Sequence, residues 1–238
     1  MCEKETKFEA TLKKAEESRY VPTKVSTIRA GISAIPIVGG ALDHLIFDKA
    51  DEIRTKNIEK SLVDISEKVN SISEKHLTIE WFKSTEALEM FRLLVEKVQF
   101  EDDNQKIKSI ADIYAVSGTK EFSKDPNKFA VLRKVAELTT VQKELLLIVS
   151  TVNKTNRTFD GEHLTSNSTA IWFDDIHNAV KTNPKGQFWQ GTLHLNTELE
   201  IIESLNLMRK VTAFLANIIG YELTGLGLLL IKYLKNIR

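Results

Sequence analysis

Six side chains of types that do chemistry stand close together in the chain: Asp160, Glu162, His163, Asp174, Asp175 and His177. Carboxylates beside imidazoles can hold a divalent metal, or can divide a proton transfer between an acid and a base. Both uses require the groups to converge. Asp160 to His163 falls in a stretch that reads as a loop, and no spacing such as HExxH sets two ligands on one helix face. These six are therefore expected to be solvated surface residues, with no metal and no cofactor.

Arg157 and His163 stand at a spacing found in some helical ribonucleases, but Gly161 and the polar neighbours argue against the helix such a site needs. No phosphate-cradling glycine loop, nucleophile elbow or CxxC pair occurs. Trp81, Trp172 and Trp189 are expected as core or rim anchors rather than a stacking platform. No catalytic residue is expected.

The elements that would position any site are mainly helical. The chain has 238 residues but only four prolines and ten glycines, and few breakers with plentiful Leu, Ile, Lys and Glu favour long helices. Lys plus Arg equals Asp plus Glu at 33 each. That balance argues against a surface built as a whole to attract nucleic acid or anionic lipid. The single cysteine, Cys2, excludes an internal disulfide framework and suits a reducing, cytoplasmic setting. Met1 to Lys14 is charged, so neither a signal peptide nor a simple lipid anchor is expected.

One apolar run needs an explanation. Between Arg29 and Asp43 there is no charge, through Gly31, Ile32, Ile35, Pro36, Ile37, Val38, Gly39, Gly40 and Leu42, and Leu45 and Ile46 extend it. A spanning helix needs about 20 apolar residues, and this run is shorter and broken by Pro36 and Gly39-Gly40. Three readings follow: a buried helix that bends at Ile35-Pro36, a contact surface for a partner chain, or a segment that enters a membrane after a trigger. The first is preferred.

A polar helix over Glu3 to Arg19 precedes the bend, and one long helix from Ala41 to about Ser71 follows it. Ile58, Leu62, Ile65, Val69 and Ile72 are spaced four, three, four, three, an a/d seam suited to an antiparallel hairpin or a dimer contact. A helix from about Thr78 to Val98 has a wide apolar face. Glu101 to Asn104 opens another, to about Ser117. Asn127 to Leu138 and Thr139 to Val152 read as helices, the second opened by a Thr139/Gln142 capping box. Asn153 to Ser168 reads as a loop, and Ser168 is placed as the cap of a helix through Ile171, Trp172, Ile176 and Val180.

From Leu193 the order is a helix capped by Thr197 and Glu200, then β-prone runs Met208 to Phe214 and Ile218 to Leu223, then a helix capped by Thr224. With the helix near Thr139, this is the plan of a winged-helix-like module. The fold class is thus mainly α: a long helical hairpin or bundle over residues 1–125, then a winged-helix-like module with one short β-hairpin over 126–238, carrying an insertion at 153–192. Specific DNA binding is disfavoured, because the helix that would enter the major groove carries Glu198, Glu200 and Glu203.

Four segments carry a family resemblance: ISAIPIVGGALDHLI, FRLLVEKVQFEDDNQKIKSIADIYA, DPNKFAVLRKVAELTTVQKELLLI, and the terminal IIESLNLMRK with YELTGLGLLLIKYL. Together they resemble the Abi-alpha family of bacterial abortive-infection proteins, over roughly residues 25 to 238. Where that family has LTPLG or LTPFG near the end, this chain has Leu223-Thr224-Gly225-Leu226-Gly227. The resemblance implies a role in anti-phage defence and brings no catalytic residues with it. The preferred expectation is a cytoplasmic, non-enzymatic sensor or regulator that acts through a protein partner or self-association. The alternatives are a membrane-perturbing effector that releases residues 30–47 and a metal-dependent nuclease built on Asp160 to His177.

Overall fold

The computed structural model describes residues 52–153, 170–183, 192–213 and 218–237. The expected apolar bend at 30–47 and the helix over Glu3 to Arg19 lie outside them, as do Asp160, Glu162 and His163. Among the described residues the protein is mainly helical, with one small antiparallel sheet.

Helix α1, Glu52–Ser71, ends where the sequence pattern stops. Ile58, Ile65 and Val69 are buried, and Leu62 and Ile72 pack half-buried beside them. Three further α-helices follow in this half: α2, Ile79–Phe82; α3, Thr85–Val98; and α4, Asn104–Ser117. The α1 seam lies mainly along α4 and secondarily on α3. Asn57 Nδ2 donates to the carbonyls of Val98 and Glu101 at one end, and the Lys120 N–H donates to the His76 carbonyl at the other. Hence α1 and α4 run in the same direction, with α3 as the returning element. The seam is filled by the chain's own core rather than by a simple antiparallel neighbour.

The single helix expected over Thr78 to Val98 is two. Ser84 is extended and its hydroxyl accepts from the Ala87 N–H at 3.2 Å, which caps α3 and ends the α2 turn. The break turns Trp81 and Phe82 inward onto Tyr114, at ring-centroid distances of 5.6 and 6.3 Å. Trp81 is therefore a core anchor. Asp103 caps α4 by accepting from the N–H groups of Gln105 and Lys106.

Helix α5, Lys128–Glu137, leads to α6, Thr140–Val149, whose Thr139/Gln142 capping box forms reciprocally as the pattern requires. The carboxy-terminal module adds β1, Ile171–Trp172; α7, Phe173–Thr182; α8, Thr192–Ser204; β2, Met208–Ala213; β3, Ile218–Leu223; and α9, Gly225–Ile237. The sheet order is β1-β3-β2, all antiparallel. The hairpin is as expected, and Thr224 caps α9 through its hydroxyl, which accepts from the Gly227 N–H at 3.0 Å.

Two local expectations in this module are corrected. Ile171 and Trp172 are not helical: they pair with Tyr221 and Gly220 as a third strand, and the helix starts at Phe173. Thr197 is no cap, because α8 already runs from Thr192; Leu195, Leu199 and Ile202 recur at helical spacing and are all buried, so the apolar face begins before Thr197. One apolar core runs through both halves, and α9 packs on α4, α5 and α6.

Candidate functional site

Of the residues singled out for chemistry, Asp160, Glu162 and His163 lie outside the described residues. Asp174, Asp175 and His177 sit in the first turns of α7, where the His177 ring stacks on Phe173 at a centroid distance of 6.1 Å. Among the described residues no group of three potential metal ligands comes together. The acidic face of α8 is internally engaged. Glu198 accepts from the Gln142 side chain at 2.8 Å, Glu203 accepts from the Lys210 N–H at 3.0 Å, and Glu200 faces Lys210 Nζ at 3.7 Å.

Among the described residues two grooves stand out, neither of them visible in local sequence spacing. The first, of about 330 Å³, lies between α4, α6 and the end of α9. Its polar half is built from Gln105, Lys108, Ser109 and Asp112 of α4 facing Thr140 and Lys143 of α6; its apolar half comes from Leu147, Leu234 and Ile237. Lys143 is only 5% exposed, and its Nζ donates to Ser109 Oγ at 2.7 Å. The Ser109 hydroxyl in turn donates to the Gln105 carbonyl at 2.8 Å. Lys108 Nζ stands 3.5 Å from Asp112 Oδ1, a buried oxygen that accepts no hydrogen bond.

Burial dominates the titration of this groove. It lowers the Lys143 amine from 10.5 to about 8, partly offset by Asp103, while Lys106 adds to the lowering. Burial raises the Asp112 carboxyl against the pull of Lys108 and Lys68, and Asp64 adds to the rise. At high pH the lysine is neutral in both the folded and the unfolded chain. As pH falls toward 8 only the unfolded chain takes up the proton, so this group's contribution weakens the fold. Asp112 acts in the opposite sense, gaining stability as pH falls through its folded pKa. Relative to Lys143→Met, the wild type is expected to lose about 2 kcal/mol between about pH 10 and pH 8. Urea denaturation of both proteins across that range checks this, and a difference that does not change with pH would refute it.

The second groove, of about 320 Å³, lies where the end of α6 meets β1, β3 and α9. Its floor is apolar, from Val149, Ile171, Leu223, Leu228 and Ile231, with Lys232 and Lys235 on the rim and, among the described residues, no acid in the lining. Leu228 is 49% exposed. Lys232 reaches Glu121 at 2.9 Å across the edge.

Of the expected contact residues, Ile58, Ile65 and Val69 are core, Leu62 and Ile72 border it, and Gly31 to Ile46 lie outside the described residues. Lys143 carried a signal in retrospect: it stands three and four residues before Leu146 and Leu147, on the buried face of α6. Among the described residues no helix is long and apolar enough to cross a membrane. No protein-family model, curated protein or solved structure matches the chain.

Proposed function

We propose that this chain is a component of bacterial abortive infection that acts by protein–protein contact, as a sensor or regulator. The role follows from the resemblance of its apolar segments to the Abi-alpha proteins. The observation that carries the contact reading is the second groove: an apolar floor with the half-exposed Leu228, rimmed by Lys232 and Lys235 and, among the described residues, lined by no acid. Exposed apolar surface within a basic rim fits a partner segment that presents one or two large apolar side chains flanked by carboxylates. The acidic surface of α8 opposes nucleic acid as the alternative occupant of the module.

The test is phage protection by the full chain in a bacterial host, with Leu228→Asp and Lys235→Glu as variants. Leu228 is half-exposed and Lys235 exposed on α9, and neither belongs to the core, so both variants are expected to fold with unchanged melting temperature. Loss of an anchor at the centre of a contact weakens it by about tenfold or more, so protection should fall toward that of empty vector. Full protection by the doubly substituted chain would sink the contact reading. No protection by the wild type against any phage would sink the defence role.

A further inference from the structure

Lys143 presents an unusual balance of charge. A lysine ammonium has three donors, and among the described residues only one is used, on the neutral Ser109 hydroxyl. Among the described residues no carboxylate stands within ion-pair distance of it, although buried charges are ordinarily paired. The acids nearby are held elsewhere. Asp103 accepts from Thr140 Oγ1 and from two backbone N–H groups of α4, Glu101 faces Lys106 at 2.8 Å, and Asp112 faces Lys108. The amine therefore sits at the wall of an open groove with two donors unspent. A hydroxyl that only bonded its own helix backbone would need no buried amine beside it.

The other half of the groove states what else a ligand must be. Leu147, Leu234 and Ile237 offer apolar contact on the side away from Gln105, and the volume is at the small end for a ligand site. From this arrangement we infer that the groove between α4, α6 and α9 binds a small carboxylate with a short apolar tail. The carboxylate takes the two free donors of Lys143, with the Gln105 amide and the Lys108 ammonium on the same wall, and the tail lies on Leu234 and Ile237. A dianionic phosphate fits less well, because Asp112 and Glu144 also line the groove and repel a second charge.

Binding should also move a proton. A carboxylate beside the amine favours its charged form, so the lowered amine, about 8 when empty, rises on occupancy. The charged groups that face Lys143 are Lys106, Lys108, Asp103, Asp112 and Glu101 from α4 and its cap, and Glu144 from α6. Their field is present with or without ligand, so the change on binding reports the ligand. This inference deepens the sensor reading by naming what would be sensed, and it is tested without reference to phage protection.

The experiment is calorimetric titration of the full chain at pH 8 with hexanoate, acetate and inorganic phosphate, in two buffers of different ionisation enthalpy. The expected result is saturable binding of hexanoate, weaker binding of acetate, and proton uptake revealed by the buffer dependence. Lys143→Met should remove the proton uptake and weaken hexanoate by about tenfold or more. A second variant, Ile237→Ser at the half-buried end of α9, removes apolar contact without adding charge and should weaken hexanoate but not acetate. Absence of hexanoate binding, binding unchanged in Lys143→Met, or phosphate bound as tightly as hexanoate would each overturn the assignment.

Discussion

Gly227→Ala is expected to destabilise the protein by about 3 kcal/mol, although alanine is the better helix former by about 1 kcal/mol. The two effects have opposite sign, and geometry decides between them. A Cβ at Gly227 would stand 2.0 Å from the carbonyl oxygen of Leu207, far inside contact distance. That oxygen cannot withdraw, because it accepts the Thr224 N–H at 3.1 Å, while the Thr224 hydroxyl donates to the Asn206 carbonyl at 2.8 Å. The turn before β2 and the cap of α9 are thus one clamp, closed only over a residue without a side chain. Gly225, two positions earlier, is the control: nothing lies within 4 Å of its Cβ position, so Gly225→Ala should be neutral or stabilising by up to about 1 kcal/mol. Urea denaturation of the two variants measures the contrast, and equal stabilities would disprove the clamp. Since α9 supplies Leu228, Ile231 and Lys235 to the second groove, Gly227→Ala should also impair protection.

The pattern of legibility follows the range of the interactions. The Thr139/Gln142 capping box and the hairpin over Met208–Ala213 and Ile218–Leu223 depend on neighbours a few residues apart and are readable in the sequence; the acidic run from Glu101 marks the start of α4, but Asp103 caps that helix and no acid enters its first turn. The break at Ser84 is also local, but Trp81, Phe82 and Ala87 continue an apolar helical pattern straight through it, and periodicity hides the cap. Ile171–Trp172 is helical by pattern and a strand in fact, because its partner lies 50 residues away on β3, beyond any local signal. The seam through Ile58, Ile65 and Val69 was legible as a buried stripe, but not what it meets. Both grooves belong to the same class as the third strand. Ser109 and Lys143 lie 34 residues apart on different helices, and each alone reads as an ordinary helix residue.

A separation of 42 residues likewise lies between the parts of the buried network that should show the largest polar effect. Lys128 is 2% exposed, and its Nζ donates to Glu86 Oε1 at 2.8 Å and to the Ser123 carbonyl at 2.9 Å. The Trp81 indole N–H donates to Glu86 Oε2 at 2.7 Å, so one carboxylate on α3 ties α2 to the start of α5. The two members of the ion pair are unequal in exposure: the Lys128 side chain is 2% exposed and that of Glu86 42%. Glu86→Ala leaves a buried ammonium without its counter-charge and an indole without its acceptor, and is expected to cost about 3 kcal/mol. Lys128→Met removes the charge along with its burial cost and leaves Glu86 to Trp81 and water, so it should cost under about 1 kcal/mol. In the double variant the damage of Glu86→Ala should largely disappear, because no uncompensated charge remains. Urea denaturation of the four proteins in this cycle gives the answer. If Lys128→Met proves as harmful as Glu86→Ala, the pair is held by mutual attraction, and burial of the amine is not what sets the cost.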